Sequence, residues 1–173
     1  MTIVTYGGIT VGLLILGYTL TSWWPGTKAV RKDPARAFGA LLPFLAAWSY
    51  GVLAILTVGG LIGWIADTAL WISNWLGDVA LVWGVGGEPG QHGPTVAYLP
   101  LTQPGGAIVL ILTVVIVAAV KRKRTSDEMR RSIKGGAWCG ICLGTSAGVA
   151  GFAAVPLAQA VNWAGGALYG VVA

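Results

Sequence analysis

A chain of 173 residues in which 55% are hydrophobic and 10% charged, with a mean hydropathy of +0.75, departs from soluble domains, where about a quarter of residues carry charge. Counted in bilayer crossings of about 20 residues each, this length allows several spans and excludes a separate soluble catalytic domain between them. The net charge of +5 predicts no dedicated nucleic-acid site. The basic residues fall in two clusters, Lys28, Arg31, Lys32, Arg36 and then Lys121, Arg122, Lys123, Arg124, Arg130, Arg131, Lys134, the distribution that the positive-inside rule gives to cytoplasmic loops. Such clusters also attract anionic headgroups, so membrane lipids, including bound phospholipid, are the first expected partners.

Residues 3–24 form the first expected span. No basic residue precedes it, so the opening lacks the charged region of a secretory signal and the span is expected to be retained, N-terminus outside. Its end at Trp23, Trp24 and Pro25 combines interfacial indoles with a helix stop. After a cytoplasmic loop over 25–37, residues 38–66 form a second span, long enough to require tilt or a bend near Pro43.

From residue 67 the pattern changes. Ile65, Ala69, Ile72, Leu76, Val79 and Trp83 share one helical face, while Asp67, Asn74 and Asp78 share another. With Trp64, Trp71, Trp75 and Trp83 close together, this reads as an amphipathic helix at the outer interface or a cap packed on its neighbours. The turn formers from Gly86 to Pro94 make a loop, which completes an outer segment over 67–104.

A third span follows over 105–120. Its β-branched run from Ile108 to Val120 would suit a strand in water, but a lone strand in lipid leaves its backbone unsatisfied, so helix is expected. A second cytoplasmic loop covers 121–134. Thr125-Ser126-Asp127-Glu128 fits a capping box with Thr125 as N-cap, and the fourth span is expected over 136–163, kinked at Pro156, with Trp138 and Trp163 as further interface aromatics. Near its outer end Gln159 and Asn162 either bond across helices, line a wet path, or meet headgroups and water as an interfacial pair. The predicted fold class is an all-α integral membrane protein: four transmembrane helices plus an amphipathic Trp-rich outer helix, a single polytopic domain with both termini outside.

Gly136, Gly140, Gly144 and Gly148 recur every fourth residue, with Gly151 extending the series. In lipid no hydrophobic force drives helices together, so small residues that let backbones approach carry association. Gly8 with Gly12, and Gly59 with Gly63, repeat the spacing. This strip is expected to join the chain to copies of itself or to another membrane subunit.

Cys139-Gly140-Ile141-Cys142 lies in the same stretch. A four-span protein with a Cys-x-x-Cys pair superficially resembles the quinone-linked membrane oxidoreductases that make disulfides. Those families relay electrons through a second cysteine pair, and this chain has two cysteines in all. The expected topology also puts the pair near the reducing cytoplasmic side. His92 is the single histidine, so neither bis-histidine haem nor a His-rich metal site can be assembled. The spans hold no Asp, Glu, Lys, Arg or His, which disfavours ion-coupled transport.

The sequence therefore predicts a non-enzymatic, self-associating protein without cofactor or metal in a bacterial cytoplasmic membrane. It would be a structural or pore-forming component of secretion, DNA-transfer or phage-type permeabilising machinery. The alternatives are an accessory subunit docking on a larger membrane complex and a thiol-disulfide oxidoreductase using Cys139 and Cys142.

Overall fold

The structure, a computed structural model, describes residues 3–24, 33–95, 100–122 and 125–172. The regular structure among these residues is helical, and the extended pairing is limited to two isolated bridges, Thr5 with His92 and Thr95 with Ser146. Helix α1 covers Tyr6–Trp23, capped by the Thr5 hydroxyl, which accepts from the Gly8 N–H. Helix α2 is the short Pro34–Gly39.

The expected span over 38–66, with its bend near Pro43, is corrected in where the chain turns. Helix α3 covers Leu42–Ile55 and carries Pro43 in its first turn, where a missing N–H costs nothing, so Pro43 opens a helix rather than bending one. The chain then breaks, and α4, Gly60–Val85, leaves at 104° to α3. The cause is local: Gly59 (φ 77°) and Gly60 (φ 70°) both adopt the left-handed region that glycine enters without steric penalty. The outer helix thus starts seven residues earlier than the change in pattern at Asp67 suggested, and it ends on Gly86 (φ 79°), a left-handed C-cap.

Helix α5 covers Gln103–Lys121, capped by Thr102 through the Gly105 N–H. Its β-branched run is helical throughout. Helix α6 covers Asp127–Leu143, and its N-cap is Ser126, which accepts from the Met129 N–H at 3.2 Å. The expectation of Thr125 in that place is corrected by one residue: the Thr125 hydroxyl donates to the Ala119 carbonyl at 2.7 Å instead.

The fourth span over 136–163 is corrected as well. Helix α6 stops at Leu143, and α7, Val149–Val172, begins after a break at 144–148. Within the break the Ser146 hydroxyl and N–H both donate to the Leu143 carbonyl, and the Ala147 N–H donates to Pro94. These bonds replace the helical ladder with a turn. Pro156 sits inside α7.

Helices α3 and α6 run parallel at the centre: Gly136 lies beside Phe44 and Ala47, Gly140 beside Trp48 and Val52, and Gly144 beside Val52 and Ile55. Helix α1 runs opposite to α6, with Gly12 against Cys142 and Leu143 and Gly135 near Ile15. Helices α5 and α7 flank the other side of α3, where the Tyr50 hydroxyl bonds Thr113 at 3.0 Å. The buried cluster around Val52, Ile55, Leu56, Ala66, Leu70, Ala154 and Ala158 gathers α3, α4 and α7.

Among the described residues, α5 is the one helix long and apolar enough to cross a membrane, and α3 with α4 meets that measure only as a bent pair. The break at 56–59 accounts for the bent pair. Fourteen residues of α3 reach about 21 Å at 1.5 Å per residue, short of the roughly 30 Å hydrocarbon layer.

Candidate helix-packing site

A Cβ on Gly136 would overlap the Phe44 carbonyl oxygen, one on Gly140 the Trp48 carbonyl oxygen, and one on Gly144 the Ile55 side chain and the Gly140 carbonyl. The opposing helix contributes its own glycine, Gly51, whose Cβ would overlap the Ala137 carbonyl oxygen. Two backbones therefore meet with no side chain between them, which maximises dispersion contact. The strip's partner is α3 of the same chain. The expectation that these three glycines meet another copy or subunit is corrected, because their face is already covered.

The other glycines do different work. Gly148 lies in the α6–α7 break, with the Ser146 hydroxyl 3.7 Å from its Cβ position, so the break removes it from the strip. Gly151 belongs to α7, and its surroundings lie outside the described residues. Gly8 sits under the Asn74 amide and Gly12 under Leu143 and Cys142. Gly59 makes the break and has open space around it, while Gly63 lies against the Thr57 carbonyl across that break.

Cys139 and Cys142 are free and fully buried. The Cys139 thiol donates to the Gly12 carbonyl at 3.4 Å. Beside them the Trp138 indole N–H donates to the Ser73 hydroxyl at 2.8 Å, and Ser73, itself fully buried, donates to the Ala69 carbonyl at 2.8 Å. Trp138 thus ties α6 to α4. Reactive cysteines sit in partly exposed, electropositive surroundings, and these two face a packed interior.

Comparison with protein-family models, with curated proteins and with solved structures finds no match to this chain. Its arrangement has to be read from its own geometry.

Two asparagines each tie a long helix to the segment that leads into another. Asn74, only 6% exposed, accepts from the Thr5 N–H at 3.1 Å and donates to the Ile3 carbonyl at 2.8 Å. The Thr5 hydroxyl donates to Asp78 at 3.1 Å. On the other side, Asn162 accepts from the Thr102 N–H at 2.9 Å and from the Thr102 hydroxyl at 3.1 Å, and donates to the Pro100 carbonyl at 3.3 Å. Each side-chain amide clamps the extended backbone that leads into a helix, satisfying groups that the helix start leaves unpaired. Of the roles open to Gln159 and Asn162, bonding between helical segments is the one observed for Asn162, while Gln159 is exposed.

Helix α4 turns its polar face inward. Ser73, Asn74 and Gly77 are buried, while Leu61, Trp64, Ile65, Trp71, Trp75, Val79 and Trp83 are exposed. Trp24 and Trp163 are exposed too, and Trp23 is half-buried against Phe38 at 5.7 Å. Of the basic residues, Lys121, Arg122, Arg131 and Lys134 are exposed. Arg130 is tied to Asp127 at 3.4 Å and to the Arg122 carbonyl at 3.0 Å. Lys28, Arg31, Lys32, Lys123 and Arg124 lie outside the described residues, as does the side chain of Arg36. No group of three or more His, Cys, Asp or Glu suited to a metal occurs among the described residues.

The role of Asn74 was hidden in the sequence by its place on a face shared with Asp67 and Asp78, which reads as a wet surface. The detectable signal is the string Asn-Trp-x-Gly, present at Asn74 and again at Asn162.

Proposed function

We propose that this chain is a non-enzymatic, multi-pass protein of a bacterial cytoplasmic membrane, serving as a structural subunit of a larger membrane-embedded assembly. The observation that carries the reading is its inside-out chemistry. Ser73 and Asn74 direct their hydrogen bonds inward, while Leu110, Ile111, Val114, Val115 and Val117 of α5 and the tryptophans of α4 are exposed. A water-soluble monomer rarely exposes so continuous an apolar surface, whereas acyl chains cover it without cost.

In this reading α1, α3, α5 and α6 run as four crossings, and the bilayer thins around α3 and α6, whose apolar lengths fall short of a full hydrocarbon layer. The basic residues around the end of α5 and the start of α6 mark the cytoplasmic side. The exposed face of α4, rich in indoles, meets the headgroup and acyl boundary of the outer leaflet. At the inner end of α5 the exposed Val115 lies near the exposed Lys121 and Arg122, an arrangement that suits acyl chains below anionic phospholipid headgroups.

The filled glycine strip favours a docked subunit over a self-assembled ring, since the residues best suited to joining copies already join α6 to α3. Two measurements test the proposal. Alkaline carbonate washing should leave the chain in the membrane pellet, and release into the supernatant would end the membrane reading. Native mass in lipid nanodiscs should give one copy per particle when the chain is purified alone. A stable ring of copies would instead reinstate the pore-forming alternative.

A further inference from the structure

The two Asn clamps use the same atoms on the same sequence frame. Asn74 takes the N–H of Thr5 and the carbonyl of Ile3, and Asn162 takes the N–H of Thr102 and the carbonyl of Pro100, two residues earlier in each case. Thr5 caps α1 through Gly8, and Thr102 caps α5 through Gly105. A Cβ on Gly8 would strike the Asn74 amide oxygen, and one on Gly105 would strike that of Asn162. Gly77 lies against Gly7 as Gly165 lies against Pro104.

The central pair repeats the pattern. Gly51 faces the Ala137 carbonyl oxygen and the Ile141 nitrogen, and Gly140 faces the Trp48 carbonyl oxygen and the Val52 nitrogen. Exchanging the two helices maps each contact onto the other. Ala47 touches Gly136, and Ile55 touches Gly144, so counterparts under that exchange lie against one another, as happens only along a two-fold axis. Since α3 and α6 are parallel, the axis runs along them.

From this the geometry points to a tandem fusion. Residues 3–85 and 100–172 are two copies of one helical unit, each a helix, a basic connection, a shorter helix, a break and a long lateral helix, with α2 an addition of the first copy. The breaks at 56–59 and 144–148 correspond, as do the buried pairs Ala66 with Ala154 and Leu70 with Ala158. The exposed positions correspond as well: Trp75 with Trp163, and Trp83 with Val171, the last two both 87% exposed. The copies have diverged where Asp78 is answered by Gly166 and Trp71 by Gln159. The contacts that define the axis hold whether or not the chain lies in a membrane, so this assignment does not rest on the proposed function.

A two-fold axis equates the path from α7 back to α1 with the path from α4 to α5, which residues 86–101 bridge. A circular permutant of the full chain, opened between the exposed Gly87 and Glu88 and closed from Ala173 to Met1 by a linker that restores the length of 86–101, should therefore fold. Its melting midpoint should lie within about 4 °C of the parent. A permutant that is made but has lost cooperative melting would overturn the assignment.

A second measurement needs no rearrangement. Spin labels placed singly by Trp75→Cys, Trp163→Cys, Trp83→Cys and Val171→Cys in lipid-reconstituted full chain should match within each corresponding pair in accessibility to oxygen and to a water-soluble nickel chelate. A pair split between lipid and water overturns the two-fold. Matched pairs that all face water support it while removing the membrane reading.

Discussion

Helices α6 and α5, of 17 and 19 residues, show that apolarity does not sort inside from outside in this chain. Helix α5 is the apolar one and buries Gly105 and Val109. Helix α6 begins with Asp127, Glu128, Arg130 and Arg131, yet buries Gly136, Cys139, Gly140, Ile141, Cys142 and Leu143 at the centre. The difference lies in surface shape. The glycines of α6 let two backbones touch, whereas the branched side chains of α5 hold neighbours at a distance and offer nothing that a lipid tail does not equally satisfy.

The sharpest way to break this comparison is to roughen the smooth helix. Gly140→Leu places a side chain on the Trp48 carbonyl and the Val52 backbone, neither of which can move without parting α3 from α6. A loss of about 3 kcal/mol is expected, the upper part of the overpacking range, read as a fall in the unfolding midpoint in detergent. Wild-type melting would mean that the two backbones do not touch.

Removing the buried clamp comes next. Asn74→Ala leaves the Thr5 N–H and the Ile3 carbonyl without their partner in a buried setting, at a cost of about 2 kcal/mol. Amide exchange at Thr5 should accelerate in parallel, and unchanged exchange there would count against the bond. Asn162→Ala removes the corresponding clamp at a half-buried position, where water replaces part of what is lost, so about 1 kcal/mol is expected. An equal or larger loss than for Asn74 would show that the two clamps are not graded by burial.

At the small end stands Val115→Leu on the exposed face of α5, which should shift stability by no more than about 0.5 kcal/mol. A cooperative loss of folding from that change would show a protein neighbour on α5 and would redraw the comparison.

Helical content was legible in advance because β-branched runs between basic clusters have no other way to satisfy their backbone in an apolar setting. The ends of α1 and α5 were legible from Trp23-Trp24-Pro25 and from Lys121. The two breaks were not. Gly59-Gly60 and Gly144 to Gly148 read as small residues within spans, and nothing local distinguishes a glycine that packs a helix from one that ends it. The glycine series shows the same limit, since Gly136, Gly140 and Gly144 pack on α3 while Gly148 has left the helix. The internal duplication was hidden because apolar positions interchange freely, leaving only Thr-x-x-Gly and Asn-Trp-x-Gly as common strings.

By itself the sequence determined that the chain is helical, that one apolar helix ends at Lys121, and where the charges gather, because composition and local periodicity act over a few turns. Only the tertiary structure decided where the helices break, that the polar face of α4 turns inward, and that the glycine strip is closed by α3. Those outcomes depend on which backbone donors and acceptors meet across dozens of residues, and no short stretch of sequence carries that information.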